Sequence, residues 1–544
     1  MSVPVAIARI AEKLAIHPED LLPFGRQIAK VHIRALERPA TGKGRLVLVS
    51  ATTPTPSGEG KTTTSIGLAQ ALSQLGESVC LALREASLGP CLGRKGGATG
   101  GGRSVLVPAE RINLHFTGDF HAVTCANNLL SAVIDNHIYH GNALGIDPRR
   151  VVWRRVMDMN DRSLRHIVVG LGGTGQGIPR EGGFDITAAS EVMAILCLAG
   201  DIDDLRRRLD NILVAYTWDG APVHARQLRV TGAMLALLCD AIHPNLVQTG
   251  EGVPALVHGG PFANIAHGCS SLLATRMAMH HADWAVTEAG FGFDLGAEKF
   301  FDIKCRMAGL DPVAVVLVTT VRALKMHGGA PGNRLEQPDP AALARGLANL
   351  DKHIENVRRF NKQPVVALNR FDSDSDEEIA LVRRCCDERH VACAVCSHYQ
   401  QGGSGARELA RAVMTVAEKN RPFVPLYDLE APVEEKIRII CREIYGADDV
   451  AFTRQAERDL RQMKDLGYAG LPVCVAKAPT SLSDNPALKG RPRDFEVTVR
   501  AVQVNAGAGF LVVLTGDILR MPGLPERPLA ERIDIGPDGG ILGL

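Results

Sequence analysis

The chain has 544 residues, 46% of them hydrophobic and 22% charged, with a formal net charge of +1. That length exceeds one ordinary core and implies about two to four domains. The balanced charge excludes bulk attraction to nucleic acid or to an anionic membrane. No apolar run is long enough to span a bilayer. The thirteen cysteines, an odd number and few for the length, point to a reduced, cytoplasmic setting rather than a disulfide framework.

The N-terminal stretch "MSVPVAIARIAEKLAIHPEDLLPFG" scatters charges through its apolar positions and reads as an amphipathic helix, not a signal peptide. "RLVLVSA", residues 45–51, is a buried-strand signal, and "TTTSIGLAQALSQLG" has helical spacing with Gly76 as its stop. "VCLALRE" is the next strand, with "HIVVGLGG", "WAVTEAG", "PVAVVLVTT" and "PVVALNRF" as later ones. Short apolar runs separated by helices imply right-handed βαβ units and a parallel sheet. A polar helix, "LANLDKHIENVRRFNKQ", precedes Pro364 and suggests a boundary near 350. "FEVTVRAVQV", "NAGAG" and "FLVVLTG" read as strand, tight turn, strand. The expected architecture is α/β. A P-loop NTPase-like parallel sheet occupies a large N-terminal domain, residues 1–350. Two smaller α/β domains follow, 351–440 and 441–544, the last with a β-hairpin. "CCDERHVACAVC", residues 385–396, is the only cysteine cluster. Cys393 and Cys396 have a C-x-x-C zinc spacing. Alternatively Cys385 and Cys386 end a helix and the others sit in a strand as small hydrophobes.

"TPTPSGEGKTTT", residues 53–64, lies between the first strand and its helix. Gly60, Lys61 and Thr62 fit the second half of a phosphate loop, but Thr55 stands where the first glycine is usual. Amides at a helix start and the helix dipole favour an anion there. Gly58 and Gly60 permit close backbone approach. Lys61 can reach the β- and γ-phosphates, and the Thr62 hydroxyl can bind Mg²⁺. Arg84 and Glu85 follow the next strand, where open α/β sheets place ligands. The arginine either grips a second anion or forms an ordinary ion pair. "GRKGGATGGG", residues 93–102, either wraps an anion with its amides or is a surface loop. His115 and His121 lack the spacing of a metal site. Asp119, in a Thr-Gly-Asp turn, is the better candidate for organising a site.

Nearly the whole chain resembles formate–tetrahydrofolate ligase. The resemblance runs through "TPTPSGEGKTTT", "REASLGP", "KGGATGGG", "INLHFTGDFHA", "GIPREGGFDITAASEVMAILCLA", "HGGPFANIAHGC" and "TEAGFGFDLGAEKFFDIKCR" to "SLSDNP", "AGAGF", "LTGDI" and "MPGLP". The family's loop is itself of TPTP-x-GEGKTT form, which accounts for Thr55. The resemblance implies that ATP, formate and tetrahydrofolate give 10-formyltetrahydrofolate, ADP and phosphate through formyl phosphate. It implies a nucleotide site at Thr55, Pro56, Ser57, Gly58, Glu59, Gly60, Lys61, Thr62 and Thr63, with Ser481 and Ser483 on a loop near the base. Arg84 matches the arginine that holds formyl phosphate, and Glu85 and Asp119 order the anion and cation site. Phe371 and Tyr399 would flank the pterin ring. Tyr399 stands in place of a family tryptophan, and Gln401 replaces a lysine of the same stretch. The stacking face is smaller, and one charge is lost near the ligand's glutamate tail. The resemblance further implies Mg²⁺, an ammonium or potassium activator, a homotetramer and a monofunctional chain. A nucleotide-driven switch or metal-delivery factor, or a decayed binder, would share the phosphate loop but not the whole set of motifs.

Overall fold

A computed structural model describes residues 4–56, 58–93, 97–516 and 518–543; Ser57 of the phosphate loop lies outside them. The centre is a twelve-stranded sheet. Seven of its strands run parallel in the order Pro254–Val257, Val79–Leu83, Trp284–Glu288, Arg45–Ala51, Ala314–Thr319, Pro364–Asn369 and Ala392–Cys396. All but the outermost, Ala392–Cys396, are buried almost end to end. This is why they read as unbroken Val, Leu and Ala runs instead of alternating ones. The far edge is antiparallel, with Asn245–Thr249, Ala29–Val31 and Leu21–Pro23. From Arg45–Ala51 the chain moves one way to Val79–Leu83; from Ala314–Thr319 it moves the other way to Ala392–Cys396. Strand order therefore diverges at the carboxyl end of Arg45–Ala51, the place where open α/β sheets leave a crevice.

The boundary expected near 350 falls inside the helix Pro340–Arg359, and the two strands after it extend the same sheet. The boundary expected near 440 falls where the helix Val433–Ile440 runs directly into the π-helical turn Cys441–Tyr445. A second core forms around the helix Asp119–Tyr139 and the helix Glu191–Leu198. It also takes in Cys474, Ala476, Phe510 and Val512 from near the C-terminus. "HIVVGLGG" does not join the main sheet. Ile167–Val169 pairs with Arg180–Gly182 as an antiparallel ribbon, and Val168 is exposed. "FEVTVRAVQV" is two strands: Glu496–Val499 pairs with Asp449–Phe452, and Ala501–Asn505 forms the expected hairpin with Phe510–Leu514. Period-2 alternation identifies the buried face of a strand, not its partner. Among the described residues no helix is long and apolar enough to cross a membrane.

The helices Val321–His327 and Pro340–Arg359 meet backbone to backbone. A Cβ at Gly346 would lie 1.8 Å from the Leu324 carbonyl oxygen, and one at Gly328 would lie 1.8 Å from that of Ala342. Gly346→Ala must push the helices apart and is expected to destabilise the protein by about 1–3 kcal/mol in urea unfolding. Gly232→Ala, at a helical position with open space around it, is expected to be neutral or stabilising by up to about 1 kcal/mol.

Candidate active site

Residues 52–60 leave the strand Arg45–Ala51 and end at the helix Lys61–Gln74, whose first turn receives no side-chain cap from the described residues. Gly58 and Gly60 have φ of +74° and +79°, a region costly for any residue with a Cβ. The Thr55 amide donates to Glu59 Oε1 at 2.7 Å, and the Gly58 amide donates to the Thr55 carbonyl at 3.0 Å. Thr55 therefore turns its N–H inward, towards the loop's own carboxylate. Asn369 Nδ2 donates to the Glu59 carbonyl at 2.8 Å and to Thr64 Oγ1 at 3.0 Å. The buried Thr53 hydroxyl accepts from Asn349 Nδ2 at 2.9 Å and lies 2.9 Å from His353 Nε2.

The loop's chemistry-bearing groups face two neighbouring strand ends. Thr62 Oγ1 donates to Glu288 Oε2 at 2.8 Å, and Glu288 closes the adjacent strand Trp284–Glu288. A hydroxyl and a carboxylate held together offer hard oxygen donors suited to Mg²⁺. Burial depresses the Lys61 pKa; Glu59 and Glu288 oppose that shift, and Arg84 adds to it. Two cations thus share one field. Arg84 follows the strand Val79–Leu83, donates through Nη1 to the Pro261 carbonyl at 3.3 Å, and has a buried Nε without a hydrogen-bond partner among the described residues. A Cβ at Gly290 would stand 3.1 Å from Arg84 Nη1, so that glycine leaves room for the guanidinium.

Glu85 is buried, and one of its carboxyl oxygens has no hydrogen-bond partner among the described residues. Burial first, then Asp119 and Asp158, hold its pKa well above the usual carboxylate range, against the pull of Lys30. Asp119 is fully engaged. Its two oxygens accept from Lys30 Nζ at 2.7 and 2.9 Å, and Oδ2 accepts from Asn245 at 2.8 Å. Both members of the ion pair are buried, and they tie the antiparallel sheet edge to the start of the helix Asp119–Tyr139. His115 and His121 are exposed, and the described residues contain no cluster able to hold a metal through His, Cys, Asp or Glu.

Ser481 and Ser483 are buried and hold their own loop. Ser481 Oγ donates to the Leu488 carbonyl at 2.5 Å, and Ser483 Oγ donates to Asp484 at 3.0 Å. That loop lies against the phosphate loop. Asn349 also donates to the Gly490 carbonyl at 2.7 Å, while His327 accepts from the Gly490 amide and donates to the Thr53 carbonyl at 2.8 Å. Phe371 and Tyr399 follow neighbouring parallel strands and are 38% and 61% exposed. Gln400 bridges the two segments to Asp372 at 3.1 Å. The Arg322 guanidinium lies 4.2 Å over the Phe371 ring. The described part of the Gly-rich segment forms a short hairpin, Gly100–Gly101 with Ser104–Val107. It supports Tyr399: a Cβ at Gly101 would come 3.0 Å from the ring, and the Arg103 amide donates to the Tyr399 carbonyl at 2.8 Å.

A family model described as formate–tetrahydrofolate ligase matches residues 2–544. A formate–tetrahydrofolate ligase from Paracoccus denitrificans (strain Pd 1222) is 56% identical over 539 residues, covering 99% of this chain and 97% of the relative. The chain belongs to the formate–tetrahydrofolate ligase family. Within that ligase frame, sequence reading passed over Glu288, Asn349, His353 and Asn369. Glu288 carried a usable signal, an acid closing the apolar run "WAVTE". The other three sit in unremarkable helix and strand text, and only packing delivers them to the loop.

Two predictions follow from this geometry. Asp119→Ala leaves the Lys30 ammonium buried without its counter-charge, and is expected to cost about 3–5 kcal/mol in denaturant unfolding. Burial also lowers the pKa values of His353 and His398 from 6.5 to about 4. The unfolded chain therefore binds more protons than the folded one between these limits. Stability should fall as pH drops from about 6.5 towards 4 and level off below, read as Tm against pH. His353→Gln should flatten part of that slope.

Proposed function

We propose that this chain joins formate to tetrahydrofolate with cleavage of ATP, giving 10-formyltetrahydrofolate, ADP and phosphate through formyl phosphate. The observation that carries the reading is the convergence of Lys61, Thr62 with Glu288, and Arg84 on three adjacent strand ends. Formate is a poor acyl donor because its oxygen leaves badly, and phosphorylation makes that oxygen a good leaving group. In-line transfer of the γ-phosphoryl group needs positioning and positive charge more than a protein nucleophile. Lys61 and the amides of the first helical turn hold the phosphates. Thr62 and Glu288 would hold Mg²⁺, which supplies charge neutralisation at the phosphate oxygens. Arg84 holds the formyl phosphate, and its unpartnered Nε supports that role. The folate N10 then attacks the formyl carbon, and phosphate leaves as the C–N bond forms. Arg84 or nearby amides steady the oxyanion.

The remaining assignments rest on the same reading. Phe371 and Tyr399 stack on the pterin, with Gln401 near its tail. Ser481 and Ser483 shape the loop beside the nucleotide base. Glu85, with its unpartnered oxygen, orders the site for an ammonium or potassium ion, and Asp119, engaged by Lys30, supports it from beside. A cytoplasmic location agrees with thirteen free cysteines. A homotetramer agrees with the family resemblance and with the exposed apolar residues Val168, Leu171 and Ile178.

The test is incubation with ATP, Mg²⁺, formate and tetrahydrofolate, followed by acidification and measurement of methenyltetrahydrofolate absorbance. Omitting formate should abolish the signal; ATP turnover indifferent to both formate and folate would overturn the proposal. Lys61→Ala is expected to lower kcat by about 10²–10³-fold. Tyr399→Ala should raise the KM for folate by about three- to tenfold with kcat retained.

A further inference from the structure

We propose that Cys393 and Cys386 form a reversible dithiol–disulfide pair, a modification site that a hydroperoxide oxidises. The four cysteines of residues 385–396 do not share one environment. Cys385 and Cys386 lie in the helix Asp376–Glu388, and Cys393 and Cys396 in the strand Ala392–Cys396. The chain reverses between helix and strand through His390, at φ +52°, and the Val391 amide donates to the Cys386 carbonyl at 2.9 Å. This reversal folds the strand back against the end of the helix and sets the Cys386 thiol against that of Cys393.

The pair has the asymmetry that dithiol chemistry needs. Cys393 lies in the edge strand of the sheet and is partly exposed, whereas Cys386 is fully buried beneath it. The Cys386 thiol and the nearby Arg383 favour the Cys393 thiolate, against partial burial, Glu408 and Asp387. A thiolate that is reachable and hydrogen-bonded to a second thiol is the reactive form. The other two are poor reactants. The Cys385 thiol is turned to Asp351, bonded at 3.5 Å. The Cys396 thiol is buried and bonded to the Ala394 carbonyl at 3.6 Å. Cys393 and Cys396 are not joined by a third or fourth His, Cys, Asp or Glu in a metal-holding group among the described residues.

The chemistry balances in two steps. The Cys393 thiolate attacks one peroxide oxygen, the O–O bond breaks, and the leaving hydroxide takes a proton to become water. The Cys386 sulfur then attacks the resulting sulfenic sulfur. The S–S bond forms, the S–O bond breaks, and the departing hydroxide takes up the Cys386 proton as a second water. Two thiols are oxidised and one peroxide is reduced.

Arg384 and Arg389 make the test direct, because trypsin places Cys386 and Cys393 in separate peptides. The intact protein is treated with stoichiometric hydrogen peroxide, alkylated, digested and analysed by mass spectrometry without reductant. A linked pair of peptides, 385–389 with 390–407, should appear and should vanish on reduction. It should survive in Cys385→Ser and Cys396→Ser and be lost in Cys386→Ala and Cys393→Ala. In Cys386→Ala, Cys393 should accumulate as sulfenic acid trapped by dimedone. The exposed Cys239, which has no place in the pair, should alkylate alone and serve as the internal control. Two results would overturn the proposal: in the unsubstituted protein, no peroxide-dependent link between these peptides, with Cys386 left free or Cys393 oxidised to the sulfinic acid; or a link that persists in Cys386→Ala.

Discussion

A strand-to-helix turn whose glycines take left-handed φ cannot hold its shape by regular backbone pairing. The loop at residues 52–60 meets this constraint by borrowing side chains. Glu59 holds the Thr55 amide, Asn369 holds the Glu59 carbonyl, and Asn349, His353 and His327 hold Thr53. Thr53 and these three side chains are buried, where an unmet hydrogen bond is expensive and a met one rigid. The first turn of the helix Lys61–Gln74 receives no side-chain cap from the described residues.

The same constraint explains why distant parts of the chain converge here. Asn349 and His327 bind both the phosphate loop and the backbone at Gly490. The close approach of two helices through Gly328 and Gly346 is what brings these side chains within reach. Buried charge is arranged with similar economy. Lys30 and Asp119 pair with each other, and burial, with Asp119 and Asp158 nearby and Lys30 opposing, favours the protonated form of Glu85. Lys477 and Asp294 form a second buried pair beside the phosphate loop, at 2.6 Å. Such pairs contribute less to net stability than to fixing one arrangement of the elements they join.

Local text read correctly where one element's own chemistry decides the outcome. "RLVLVSA" is a strand over those same seven residues, the helix after it ends before Gly76, and Cys385 and Cys386 lie in a helix while Cys393 and Cys396 lie in a strand. The turn at Gly58 and Gly60 was legible as a strand-to-helix connection because glycines tolerate the left-handed φ it needs. Text misled where the outcome depends on a partner. "HIVVGLGG" has the composition of a core strand yet forms an exposed ribbon. The helical stretch around 350 resembles a linker helix but packs on the continuing sheet.

The sequence by itself determined the glycine-bearing turn between strand and helix, the alternation of strand and helix, and membership of a ligase family, because these depend on residue type and short spacing. Only the tertiary structure decided that Glu288 meets Thr62, that Asp119 is occupied by Lys30, and that one sheet runs through residue 350. Each of these is a pairing between groups tens to hundreds of residues apart. Such pairings are set by strand order and helix packing, and neither is written in any local pattern.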